Sequence, residues 1–233
     1  MANIDTLIFD LDGTLYPNDN GYVDHIRGNA ERFIHETLGV PAEEAGPTRK
    51  KALALANQTA LGLRMQGFDF VTEDLVSCMR EGAELFMTPD KEVQDFLSTL
   101  CQKKKMYIFT NTREVHAREA LELLGLSSYF LEVYGADFMG DCCKPQEAAF
   151  QKVLDDISVD AKSCVMFEDS LKNLRTAKFM GMTTVFITSE DDEQGVSEEG
   201  GTRDPDLSQV ADAIVTTCTS SALLPQLPLL WNA

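Results

Sequence analysis

The chain has 233 residues, 44% of them hydrophobic, which is enough to bury a substantial core and leaves room for one large or two modest domains. Its 20 basic against 38 acidic residues give a formal charge of −18, which argues against a nucleic-acid footprint or an anionic membrane surface. The same charge repels anionic ligands at long range, so a phosphate-bearing ligand would need a local positive site such as a metal ion with a lysine.

Thr6 to Phe9 is an apolar run that predicts a buried strand, and it exits into Asp10-Leu11-Asp12-Gly13-Thr14. In an extended chain Asp10 and Asp12 share a face, and Gly13 permits a sharp turn. Taken alone, such a segment is also what a solvated Asx turn looks like. Residues 17–88 have little strand character and several helix signals, which predicts an inserted all-helical domain. Val23, Ile26, Ala30, Phe33, Ile34 and Leu38 make one apolar face, Ala52, Leu53, Leu55, Ala56 and Leu63 continue it, and a third helix covers Thr72 to Phe86. Thr88-Pro89-Asp90 reads as an N-cap followed by a first helical proline, returning the chain to the strand domain. The core domain is thus residues 1–16 and 89–233. The insert, placed at a strand's carboxyl end, is a candidate lid.

Five further strands are expected at Met106 to Thr110, Glu132 to Tyr134, Cys164 to Phe167, Thr183 to Ile187 and Ala213 to Val215. Helical patterns separate most of them, at Glu114 to Leu124, Gln146 to Leu154 and Ser170 to Met180. Strands alternating with helices predict an α/β fold with a parallel sheet covered on both faces. Ser189 to Asp204, with seven acidic residues, is expected as an exposed loop without chemistry.

Three of these segments would stand beside Asp10 at one sheet edge. Thr110-Asn111-Thr112 offers neutral donors suited to phosphate oxygens, although a helix N-cap has the same look. Lys144-Pro145 offers a cation, although a loop lysine is ordinarily a surface lysine. Glu168-Asp169-Ser170 offers two adjacent acids, again readable as a helix cap. Their sum is more telling than any one of them. Two carboxylates about 4 Å apart repel by roughly 4 kcal/mol at an effective dielectric near 20, so Asp10, Asp12, Glu168 and Asp169 together call for a counterion. Mg2+ suits oxygen ligands and bridges to a phosphate.

In this order, Phe9-Asp10-Leu11-Asp12-Gly13-Thr14-Leu15-Tyr16, Phe109-Thr110-Asn111, Lys144-Pro145 and Phe167-Glu168-Asp169-Ser170 resemble the motifs of the haloacid dehalogenase (HAD) superfamily of aspartate-nucleophile phosphatases, over nearly the whole chain. The resemblance implies a Rossmann-like core with a helical cap. It makes Asp10 the nucleophile, forming an aspartyl-phosphate, and Asp12 the general acid and then base. Thr110, Asn111 and Lys144 would bind the phosphoryl group. Mg2+ would sit on the Asp10 side chain, the Asp12 backbone carbonyl and Asp169, with Glu168 close by or acting through water.

The helical insert is similar to that of the small-cap group of sugar-phosphate phosphatases, phosphoglucomutases, phosphoglycolate phosphatases and dehalogenases. Dehalogenases lack the second aspartate that Asp12 supplies. Asp12 to Pro17, Leu38-Gly39-Val40-Pro41, Thr110-Asn111 leading to His116-Ala117, Leu123-Leu124-Gly125-Leu126, and Asp169-Ser170 followed by Asn173 resemble the pyrimidine 5′-nucleotidase branch. There Asn173 would steady the metal loop. The chain departs from that branch in having Glu168 where an aspartate is more usual, and no histidine between Val71 and Phe86.

The expectation is a Mg2+-dependent phosphomonoesterase acting on a small soluble ester, with pyrimidine nucleoside 5′-monophosphates as first choice. Its alternatives are a sugar-phosphate phosphatase, a phosphotransferase of the phosphoglucomutase kind, and a catalytically idle binding module. Expected partners are the small-molecule ester, with no nucleic acid and no membrane; monomer and homodimer both stay open. No secretory leader or bilayer-long apolar run is legible. The six cysteines lack metal-ligand and disulfide-scaffold spacing, which fits a soluble protein of a reducing, cytoplasmic compartment.

Overall fold

The structure is a computed structural model that describes residues 4–56, 58–188 and 207–232; the segment Ser189 to Asp204 lies outside the described residues. The chain divides into two compact units, Asp19–Phe86 and the remainder, which runs to Asn18 and resumes at Met87.

The larger unit is α/β. Its strands β1 (Thr6–Phe9), β2 (Lys105–Phe109), β3 (Glu132–Tyr134), β4 (Cys164–Glu168), β5 (Thr183–Ile187) and β6 (Ala213–Val215) form one parallel sheet in the order β3-β2-β1-β4-β5-β6. Every residue of β1 and β4 is buried, as a sheet covered on both faces requires. Phe9 stacks on Phe167 with centroids 4.2 Å apart, and Ile8, Phe109, Phe150, Met166 and Leu174 share a core cluster on the sheet. The order reverses at β1, from which the chain passes first to β2 on one side and later to β4 on the other. Ligands of open α/β sheets bind beyond the strand carboxyl ends at such a switch point.

The helix leading to β2 starts later than expected, at Lys91. The Asp90 carboxylate accepts the N–H groups of Glu92 at 2.8 Å and Val93 at 3.3 Å, so Asp90 is the N-cap in place of Thr88, and Pro89 stands outside the helix.

The smaller unit is all-helical. It comprises α1 (Tyr22–Glu36), α2 (Ala42–Ala56), α3 (Thr59–Met65) and α4 (Thr72–Arg80), followed by a 3-10 turn at Ala83–Leu85. Phe33, Ile34, Val40, Ala45, Ala52, Leu63 and Leu75 make its core. Two expectations are corrected here. The third predicted helix stops at Arg80 instead of reaching Phe86, because Gly82 turns the chain at φ +82°, a conformation that glycine adopts at little cost. Leu53 and Leu55 are exposed at 37% and 45%, since the buried stripe of α2 runs Ala45, Arg49, Ala52 and they lie off it. Among the described residues no helix is long and apolar enough to cross a membrane.

Candidate active site

Strand register brings the candidate residues together. Phe9 pairs with Ile108 on one side and Phe167 on the other, so Asp10, one residue past β1, leaves the sheet level with Glu168, the last residue of β4. The Asp10 N–H donates to Phe167 O at 2.9 Å, and the Thr110 N–H, one residue past β2, donates to Tyr134 O at 3.0 Å. These strand exits open onto a cavity of about 270 Å³, and Asp10, Asp12, Thr110, Asn111, Lys144, Glu168, Asp169 and Asn173 all line it.

Lys144 is the electrostatic centre. Its side chain is buried, with Nζ 2.6 Å from Glu168 Oε2, 3.0 Å from Asp10 Oδ1 and 5.2 Å from the Phe109 ring centroid. Burial acts to pull the ammonium down, but the charges of Asp10 and Glu168 outweigh it and hold Lys144 above its ordinary range. Burial first, and then repulsion from Glu168, raises Asp10 well above the usual carboxylate value, partly offset by Lys144. Glu168 is raised by burial against the pull of Lys144. Asp169 is pushed up to about 6 by burial and by the charge of Asp10, eased by its hydrogen bonds. Burial is the first cause of the rise in all three acids, and the Lys144 charge offsets part of it.

Glu168 is completely buried and fully engaged. Its Oε2 accepts Lys144 Nζ and, at 3.0 Å, Asn173 Nδ2, while Oε1 accepts the Ser170 N–H at 3.0 Å. Asn173 thus braces Glu168, the neighbour of Asp169 in the loop, and Asp169 is held by Asn18, whose Nδ2 donates to Asp169 Oδ2 at 2.7 Å. The side chain of Asn111, which lines the cavity, is tied to the Lys144 backbone. Its Nδ2 donates to Lys144 O at 3.1 Å and its Oδ1 accepts the Lys144 N–H at 2.9 Å, clamping the lysine loop to the end of β2.

Asp12 is held by hydroxyls. Thr112 Oγ1 donates to its Oδ2 at 2.7 Å, and the Tyr16 phenol donates to its Oδ1. Asp10 Oδ1 differs again: it is buried and paired with the Lys144 ammonium at 3.0 Å, with no further donor on it among the described residues. Asp10, Glu168 and Asp169 each offer a carboxylate oxygen within 4.8 Å of the others. Gly13, at φ +75°, is required where it stands, because a Cβ there would lie 2.2 Å from Asn18 Nδ2 and 2.3 Å from Asp169 Oδ2.

Asn18, Lys172 and the anchoring role of Tyr16 went unread in the sequence. Lys172 also lines the cavity; its i+3 spacing from Asp169 into the helix Leu171–Phe179 was the available signal. Asn18 and Tyr16 lie on an irregular loop, where spacing says little about direction.

A family model described as haloacid dehalogenase-like hydrolase matches residues 4–181. A phosphorylated carbohydrates phosphatase of Thermotoga maritima is 26% identical over 212 residues, covering 84% of this chain and 92% of that protein. A phosphoglycolate phosphatase of Vibrio parahaemolyticus is 25% identical over 202 residues, covering 80% of this chain and 84% of that protein. Among solved structures, a HAD phosphatase from Thermococcus onnurineus superposes with a TM-score of 0.67 at 22% identity, over 92% of this chain and 94% of that one, a likeness of fold.

Proposed function

The chain belongs to the haloacid dehalogenase-like hydrolases, and from that premise we propose that it is a Mg2+-dependent phosphomonoesterase that works through an aspartyl-phosphate on Asp10. The observation that carries the reading is Asp10 itself, a buried carboxylate whose Oδ1 has the Lys144 ammonium at 3.0 Å and which offers an oxygen within 4.8 Å of oxygens of Glu168 and Asp169. Such an oxygen is matched to a cation or an electrophile. The donor set fits Mg2+, since it is all oxygen and gathers three carboxylates within 4.8 Å of one another. The Asp10 side chain, the Asp12 backbone carbonyl and Asp169 would hold the ion, and when bound it neutralises charge on the transferring phosphoryl oxygens.

The chain's own groups do the rest. Asp10 attacks phosphorus, the ester P–O bond breaks, and Asp12 passes its proton to the departing oxygen, which leaves as an alcohol. A water then attacks the aspartyl-phosphate. Asp12 takes the water's proton, the P–O bond to Asp10 breaks, and inorganic phosphate leaves with the Asp10 carboxylate restored. Thr110 and the Lys144 ammonium bind the phosphoryl oxygens. Glu168, with both oxygens engaged, fixes Lys144 instead of entering the reaction.

The named activities of the two curated relatives favour a phosphorylated carbohydrate or small hydroxy acid as the substrate. A second reading, a pyrimidine nucleoside 5′-monophosphate, is favoured by the segments Asp12 to Pro17 and Asp169-Ser170 with Asn173. Part of the same proposal is a division of labour in which the core unit carries the chemistry and the helical unit selects the substrate. Phosphate release from a panel of sugar phosphates, phosphoglycolate and nucleotides, with Mg2+ and with Asp10→Asn as control, tests it. The reading expects Mg2+-dependent release that Asp10→Asn abolishes. No release from any ester by folded, metal-supplied protein would leave a binding module, and exchange of phosphoryl groups without net release would leave a phosphotransferase.

A further inference from the structure

We infer that Tyr16 and Thr112 are the positioning residues of Asp12 and aim its carboxyl at the ester oxygen; this rests on the phosphomonoesterase reading above. Lys144 serves Asp10 and Glu168, and Asn18 serves Asp169. Asp12 stands on a glycine turn at the cavity wall, and a side chain there needs anchors of its own to deliver a proton to a fixed place.

Two strand exits supply them. After β1, the N–H groups of Thr14 and Leu15 donate to Leu11 O at 3.2 and 3.0 Å, and Tyr16 pairs with Asp12 in an isolated bridge. This turn folds the phenol back onto Asp12 Oδ1 while the ring is buried, 6% exposed. After β2, Thr112 is itself fixed by its N–H to Thr110 Oγ1 at 3.1 Å, and its hydroxyl takes Asp12 Oδ2 at 2.7 Å. One hydroxyl per oxygen defines both the position and the plane of the carboxyl. Each carboxyl oxygen has a second lone-pair site, so the two hydroxyls can go on donating while the acid's own O–H is directed at the ester oxygen and, later, the carboxylate takes the proton of water.

The consequence is selective. Proton delivery matters for a poor leaving group such as an alkoxide and little for a phenolate that departs unaided. The test is kcat/KM for glycerol 2-phosphate against 2,4-dinitrophenyl phosphate, with Mg2+, in the wild type and in Tyr16→Phe, Thr112→Val and Thr112→Ser. Tyr16→Phe keeps the buried ring, and Thr112→Val keeps the shape of the side chain. Each of the two should lose about tenfold or more on the alkyl ester relative to the aryl ester, and Thr112→Ser, which keeps its hydroxyl, should restore the wild-type ratio. An equal loss on both esters, or no loss on either, in a wild-type background that hydrolyses both, overturns the positioning role alone. A folded, Mg2+-supplied wild type that hydrolyses neither ester overturns the phosphatase reading, and this inference with it.

Discussion

Lys144 Nζ lies 2.6 Å from Glu168 Oε2, and both side chains are almost wholly out of solvent. The pair is an internal brace: Glu168 holds the ammonium together with Asp10, which lies 3.0 Å away. Removing one partner of a buried ion pair leaves the other uncompensated, at a cost of about 3–5 kcal/mol. Lys144→Met should therefore lower unfolding stability by about that amount, read by urea denaturation. Glu168→Gln added to Lys144→Met should recover part of it, because the second buried charge is then gone. A single variant as stable as the wild type would show that the brace carries no stabilising charge pairing.

Gly13 connects backbone to metal chemistry. An alanine there would be strained at φ +75° and would overlap Asn18 Nδ2 and Asp169 Oδ2. Gly13→Ala should displace Asp169 and weaken Mg2+ binding about tenfold or more, a loss of roughly 1.4 kcal/mol. Titration of the folded protein with Mg2+ by calorimetry reads this directly, and unchanged affinity would remove Asp169 from the proposed ligand set.

In the helical unit the close point is Gly62, where a Cβ would stand 2.0 Å from Ala52 O. Backbone cannot yield as a flexible side chain can, so α3 would be forced off α2. Overpacking typically costs about 1–3 kcal/mol, and Gly62→Ala should lose at least that much. The loss should appear in exchange protection of amides in α2 and α3, with β1 and β4 unaffected; uniform protection in the variant would contradict the close packing.

Asp212 supplies a pH signature of the core. Burial pushes its carboxyl up, but the Lys178 ammonium at 2.5 Å and the Thr184 N–H at 2.9 Å bring it net below the ordinary value. A depressed folded-state pKa contributes stability above the unfolded value of about 3.9 and loses it as pH falls through the folded value. Asp212→Asn should thus melt below the wild type at pH 7, with the gap closing below about pH 4. A gap independent of pH would mean that the contact acts through shape instead of charge.

Much of this architecture is legible without coordinates, for physical reasons. Strands buried on both faces read as continuous apolar runs, so Thr6–Phe9 and Thr183–Ile187 stand out with their observed bounds. Residues that leave a sheet edge inherit its register, so Asp10, Thr110 and Glu168 can be brought together by topology alone. What stayed hidden depends on irregular backbone. Asp90 outcompetes Thr88 as a cap through two main-chain hydrogen bonds, and Gly82 ends a helix whose apolar pattern runs on. Tyr16 on Asp12, Asn18 on Asp169 and the Asn111 side chain on the Lys144 backbone are contacts set by loop turns that periodicity does not describe.

The central claim is a covalent bond between phosphorus and Asp10, and the most direct measurement is to trap it. Wild-type protein mixed with Mg2+ and the best ester of the substrate panel, quenched in acid within the first turnover and digested, should yield a phosphorylated peptide containing Asp10. Borohydride reduction should convert that residue to homoserine, and Asp10→Asn should give neither product. Phosphate release at the wild-type rate with Asp10 unmodified, or with the phosphoryl group on another residue, would contradict the account.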